Sequence, residues 1–189
     1  GMGGNVYTTL EVATLLARVE NLTSCQQGHR QLAQAMDWLK QYMASVAREM
    51  KRVEKESGHK VVPGELAMRY LYLLTLTGDR LDDNASYLVA RATLLNKELT
   101  MYGKAVAVQV MAHYGKKAEA ELALKSLLEH TVTKDSMGRW FDTPRAEWSW
   151  RSYRIPTQCM AIEALYTLGH DKAADEMRLW LLQAKRTQM

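Results

Sequence analysis

The sequence predicts an all-α protein made of antiparallel helical hairpins. Three observations carry this reading. Apolar residues recur at three- and four-residue spacing through most of the 189 residues, while strict apolar–polar alternation is rare. Glycine separates consecutive amphipathic segments at Gly78, Gly115 and Gly169. Proline or a capping residue opens several of those segments. Helical pairs joined by short polar turns stack into a solenoid or close into an α/α toroid, and a toroid-like array is the expected architecture. The pairs differ in length, which argues against a consensus array such as tetratricopeptide repeats.

The elements follow in order. Leu10, Ala13, Leu16, Ala17 and Glu20 mark a short helix from Thr9 to Asn21, with Thr8 as N-cap and Glu11 in the capping-box position. After a polar turn, Leu32, Met36, Leu39, Met43, Val46, Met50 and Val53 form a heptad seam. That seam suits a freestanding coiled coil or, as preferred here, a long helix packed within a helical domain, because it stops at Gly58. Pro63 is placed in the first turn of the next helix, whose stripe of Leu66, Tyr70, Leu73 and Leu74 closes at Gly78. Asp82 or Asp83 caps a helix carrying Tyr87, Leu88, Arg91, Leu94 and Leu95. Gly103 opens or interrupts a helix that ends at Tyr114-Gly115, and Ala118, Leu122, Leu124, Leu127 and Leu128 mark the one after it.

From Thr131 to Ile155 the helical period disappears. This stretch is either a long ordered loop or a short β-hairpin turning near Thr143-Pro144. Pro156 restarts a helix, Gly169 ends it, and Asp171 caps the last one.

The totals suit one compact domain over residues 1–189, with 47% hydrophobic and 24% charged residues. Gly1 ahead of Met2 reads as a remnant of expression cloning within residues 1–4, so the chain is expected to be a piece of a larger multidomain protein. The net charge of +4 is scattered along helices rather than gathered on one face, which argues against a nucleic-acid partner. No apolar run is long enough to span a bilayer, so no direct membrane insertion is expected. Eleven methionines against one phenylalanine point to irregular gaps filled by flexible side chains. Cys25 and Cys159 match no zinc or redox spacing. A disulfide between them is possible, but two buried thiols are the expectation.

Candidate chemistry is sparse. Trp140, Phe141, Trp148, Trp150 and Tyr153, with Arg139, Arg145 and Arg151 nearby, form the best binding candidate. Of these, Trp140, Trp148, Trp150 and Tyr153 could stack on a sugar or hold another domain. Equally, the rings could plug the end of a helical barrel, which is the preferred reading. His29, His59, His113, His130 and His170 show no metal-binding spacing, and several sit at helix ends, where imidazole favours the negative pole of the dipole. Asp82-Asp83 and the Glu119, Glu121 pair read as caps and solvated faces rather than glycosidase carboxylates. No catalytic residue, cofactor or metal site is assigned.

One segment is more specific. Trp148 and Trp150 are followed by Thr157-Gln158, Ile162-Glu163-Ala164, the run from Met177 to Leu182, and Lys185 to Gln188. This succession resembles the end of the thioester-type helical domain of bacterial alpha-2-macroglobulins. Met137 to Phe141 is similar to that family's preceding tryptophan loop, and Tyr7 to Val19 more weakly to a mid-domain helix. The resemblance implies an α/α toroid and a non-enzymatic scaffold role in a protease-trapping protein of the periplasm or outer cell envelope. In that family a protease cuts a bait segment elsewhere, the protein rearranges, and the protease is caged. The implied partners are the other domains of the parent protein and, through it, target proteases. Many members carry an internal thioester in a Cys-x-Glu-Gln motif. Here Gly28 and Ile162 stand where the glutamine would follow Cys25 and Cys159, so no thioester is expected in this segment. The rival class is an α/α-toroid carbohydrate-active or glycan-binding domain using the tryptophan loop.

Overall fold

The computed structural model describes residues 5–142 and 154–188. Among them are eight α-helices and one two-stranded antiparallel hairpin, so the protein is all-α apart from that hairpin. They gather into two compact units, Gly1–Leu95 and Asn96–Met189.

The first unit holds α1 (Val6–Thr23), α2 (His29–Ser57), α3 (Glu65–Thr77) and α4 (Asp83–Leu94). Helix α1 begins three residues before the expected start. Asn5 is extended and its Oδ1 accepts the Thr8 N–H at 3.2 Å, so Asn5 and not Thr8 is the cap. Its amide oxygen reaches the free N–H groups of the first turn, and Thr8 and Glu11 then fall inside the helix. Ala13 and Ala17 let α1 lie close against α2 and α3. In α2 the buried stripe runs through Leu32, Ala35, Leu39, Met43, Ala47 and Met50. Its steps average nearer 3.6 residues than 3.5, as in a helix packed inside a globular unit rather than wound into a coiled coil. Met36, Val46 and Val53 from the expected seam lie half-buried on its flank. Pro63 precedes α3 rather than opening it, because Gly64 is the N-cap. Asp82 caps α4 as expected, accepting the Ala85 N–H at 2.8 Å.

The end of α2 is fastened to α4 by one charged cluster. Glu54 accepts two hydrogen bonds from Arg91, at 2.6 and 3.0 Å, and one from the Val61 N–H at 2.9 Å. The Arg91 guanidinium also lies 4.6 Å from the Tyr87 ring centroid. Both ionic side chains are largely shielded from solvent, so the pair is bidentate and only weakly screened.

The second unit holds a single 3-10 turn (Asn96–Glu98), α5 (Met101–His113), α6 (Lys117–Leu128), β1 (Thr131–Lys134), β2 (Gly138–Phe141), α7 (Arg154–Thr167) and α8 (Asp171–Gln188). Thr100 caps α5 by accepting the Gly103 N–H at 3.0 Å, so Gly103 lies inside the first turn. From Met101 to Val108 every residue of α5 is buried. Helices α6 and α7 both pack on it, α8 packs on α7, and β2 packs on α8. The pairs turn at Gly78, Gly115 and Gly169, whose φ angles of 72°, 80° and 78° are left-handed, as the hinge reading requires.

The hairpin alternative holds for Thr131 to Phe141, but its turn lies at Asp135 to Met137, closed by the Met137 N–H on the Lys134 carbonyl. The turn expected at Thr143-Pro144 falls outside the described residues. The expectation of buried thiols is corrected, because Cys25 and Cys159 are both exposed. Cys25 sits in the turn after α1, and Cys159 projects from α7 between inward-facing Gln158 and Met160.

The Glu54 cluster yields a pH prediction. The Arg91 hydrogen bonds hold the Glu54 carboxyl down at about 2, whereas in the unfolded chain it titrates near its ordinary value. Its contribution is therefore complete above the ordinary carboxylate range and is lost as pH falls toward about 2. Glu54→Gln should lower stability at neutral pH by about 1.5–3 kcal/mol. Urea titrations across the acid range should show the difference from wild type shrinking as pH falls; a constant difference contradicts the assignment.

Candidate functional site

Of the residues singled out by sequence, Trp140 and Phe141 lie where the hairpin, α7 and α8 join. β-Branched Thr131, Val132 and Thr133 favour the extended first strand. The register pairs Thr131 with Phe141, Val132 with Trp140, Thr133 with Arg139 and Lys134 with Gly138. The Asp142 N–H continues the ladder to the His130 carbonyl at 2.9 Å. Phe141 is fully buried, whereas Trp140 is only half-buried. Of the four binding candidates, Trp140 is therefore placed on β2 opposite Val132. Trp148, Trp150 and Tyr153 lie outside the described residues.

The start of β2 touches the backbone of α8. A Cβ on Gly138 would stand 2.2 Å from the Glu176 carbonyl oxygen and 2.9 Å from the Trp180 nitrogen. Only glycine permits this approach, and its φ of 82° favours glycine again. Arg139 then reaches both ways, donating to Thr131 Oγ1 at 2.8 Å and to Glu176 Oε1 at 3.3 Å. Gln183 donates to the Ser136 carbonyl at 2.6 Å and anchors the turn.

Helix α7 supplies the bridge. Gln158 is completely buried. Its Nε2 donates to the Arg139 carbonyl on β2 at 2.8 Å and to the Met177 carbonyl on α8 at 3.2 Å. One amide thus joins three elements, while its Oε1 has no hydrogen-bond partner among the described residues. Around it, Thr157, Ala161, Ala164, Leu165, Ala174 and Met177 are buried, and the alanines let α7 and α8 approach closely. Trp180 covers the edge, with the Arg154 guanidinium 4.6 Å from its ring centroid. Trp180 was legible only as part of the run from Met177 to Leu182. The step of three from Ala174 to Met177 to Trp180 is the signal that places it on the inner face.

Three of the five histidines contact neighbouring side chains. His113 ends α5 with its ring edge-on to Tyr114 at 4.7 Å. His170 pairs with Glu121 at 2.8 Å and His29 with Glu20 at 2.9 Å. Among the described residues, no cluster of three or more His, Cys, Asp or Glu side chains could hold a metal ion. A cleft of about 410 Å³ in the first unit has Leu32, Met36 and Leu74 in its wall and the Glu20–His29 pair at its rim. Chemically, the junction joins elements through buried polar bonds and close backbone contact.

The Arg139 carbonyl, which points away from β1, requires a donor. Gln158→Leu should cost about 1–3 kcal/mol by leaving it unbonded. Gln158→Glu should cost more, because a carboxylate oxygen would face a carbonyl. A Glu variant as stable as the Leu variant, in urea melts at neutral pH, contradicts this geometry. Gly138→Ala should destabilise more than Gly78→Ala, since Gly78 has open space around its missing Cβ and costs only about 1–2 kcal/mol of conformational strain. Equal losses would show that the hairpin does not lie on α8.

Compared with known protein families, curated proteins and solved structures, the chain matches none.

Proposed function

We propose that this chain is a non-catalytic packing domain of a bacterial alpha-2-macroglobulin-like, protease-trapping protein, contributing helical hairpins to an α/α toroid. One observation carries the reading. Several of the residues through which the sequence resembles that family converge on one junction, where Gly138 and Phe141 of β2, Thr157, Gln158 and Ala164 of α7, and Met177 and Trp180 of α8 are buried. Their spacing then reflects a packing requirement. The Gln158 amide and the Gly138 backbone face other elements of the same unit.

In this role the second unit acts as a stiff body. A buried amide bonded to two elements resists sliding of either, and an α5 helix buried on every side gives them a fixed support. Stiffness suits a domain that must move as one piece when its parent is cleaved. The partners in this reading are the parent's other domains, with proteases engaged only through the whole protein, in the periplasm or outer envelope.

The test uses the complete parent protein mixed with a broad-specificity protease. Trapping should leave hydrolysis of a small chromogenic peptide intact while suppressing hydrolysis of casein. Unchanged rates on both substrates, with the parent remaining uncleaved, remove the proposal.

A further inference from the structure

The cleft of about 410 Å³ in the first unit is within the size range of small-molecule sites. It opens because α2 packs mainly on α1 and α4 and meets α3 only slightly. Leu32 and Met36 of α2 and Leu74 and Leu76 of α3 supply its apolar lining. Asn21 of α1 donates from Nδ2 to the Leu76 carbonyl at 2.9 Å, and Glu20 meets His29 at 2.9 Å, so α1 is tied to both α3 and α2. Charges of both signs stand around the lining. Asp37 and Lys40 lie about one turn apart on α2, and Asp79 and Arg80 are adjacent in the α3–α4 connection. Among the described residues, Asp37, Lys40 and Arg80 make no ion pair or side-chain hydrogen bond. At that spacing Asp37 and Lys40 could neutralise each other, as Glu49 and Arg52 do further along the same helix. They do not, so α2 and the connection each bring one carboxylate and one cation to the cleft. Asp79 is steadied by the Thr77 hydroxyl, which donates to its Oδ2 at 2.9 Å.

We infer that this cleft binds free apolar α-amino acids as zwitterions. The ammonium is met by Asp37 or Asp79, the carboxylate by Lys40 or Arg80, and the side chain lies on the Leu32, Met36 and Leu74 lining. Charge complementarity selects this occupant. A ligand with one charge leaves the residues of its own sign facing a like charge, whereas a zwitterion answers both signs. An apolar body is what the lining between them accepts. All four charged side chains are exposed, so each contact is screened and weak, and the affinity expected is millimolar. The site belongs to the first unit alone and does not depend on the family reading above.

The test uses three probes that share one phenylalkyl body. Phenylalanine carries both charges, phenethylamine only the ammonium and 3-phenylpropionate only the carboxylate. Each is titrated at low ionic strength into the 189-residue chain, with side-chain methyl resonances followed by NMR. Phenylalanine should shift the Leu32, Met36 and Leu74 methyls and bind about two- to fivefold more tightly than either analogue. Asp37→Asn combined with Asp79→Asn should weaken phenylalanine and phenethylamine without weakening 3-phenylpropionate. Lys40→Gln combined with Arg80→Gln should weaken phenylalanine and 3-phenylpropionate without weakening phenethylamine. Circular dichroism confirms that both double variants remain helical, and the comparison of the three probes on the unmodified chain stands without them. The inference is overturned by phenylalanine that shifts none of these methyls up to its solubility limit, or by shifts confined to methyls outside the cleft. A single-charge analogue that binds as tightly as phenylalanine overturns it equally.

Discussion

The second unit is fastened at one point by the side-chain amide of Gln158, whose two N–H bonds are directed at carbonyl oxygens of β2 and α8. Burying an amide is costly unless its donors are bonded, so the helix that carries it is held to one rotation and one depth. That fixed position determines its neighbours. Thr157 and Ala161 face inward beside it, and Cys159 on the other side of the turn faces solvent. Gly138 must come so close to α8 that no side chain fits. Arg139, bonded through its backbone to Gln158, is free to use its guanidinium on Thr131 and Glu176. The hairpin is thus oriented by α7 and α8.

The first unit relies on a different device. Its long α2 gains most from aliphatic burial, but the helix end is fixed by the Glu54–Arg91 pair and the Val61 N–H. A bidentate pair sheltered from water determines where the loop after α2 departs. Hydrogen-bond geometry therefore sets direction in both units, while methionine and alanine fill the space between helices. The alanines at 13, 17, 35 and 47 matter as much as the leucines, because they set how closely the axes approach.

Helix periodicity and glycine punctuation made most of the architecture legible in the sequence, since each reports a local backbone preference. The ends of helices were less legible. Asn5 and Thr100 cap through hydrogen bonds of a kind open to any nearby Thr or Asn, so pattern alone placed the first cap at Thr8. The strict heptad read into α2 gave way to a 3.6-residue stripe, because a spacing argument weighs Met36 and Val46 above the small residues Ala35 and Ala47, which turned out to be buried. The hairpin was visible only as a loss of helical period, and its turn at Asp135 to Met137 carries no proline. The candidate junction was half legible. The run of residues around Gln158 stood out, but its meeting with Arg139 across nineteen positions depends on tertiary contact that no local rule encodes. Burial of the two thiols was misjudged, because the general preference of cysteine for interiors says nothing about which face of α7 Cys159 occupies.

Native-state hydrogen exchange tests most directly whether the hairpin, α7 and α8 are one locked body. The backbone amides of β2, the centre of α7 and the middle turns of α8 should exchange with a common opening free energy close to that of global unfolding of the second unit. Exchange in β2 that is faster than in α7 by several orders of magnitude would show that the hairpin opens independently, and that the Gln158 amide does not hold it.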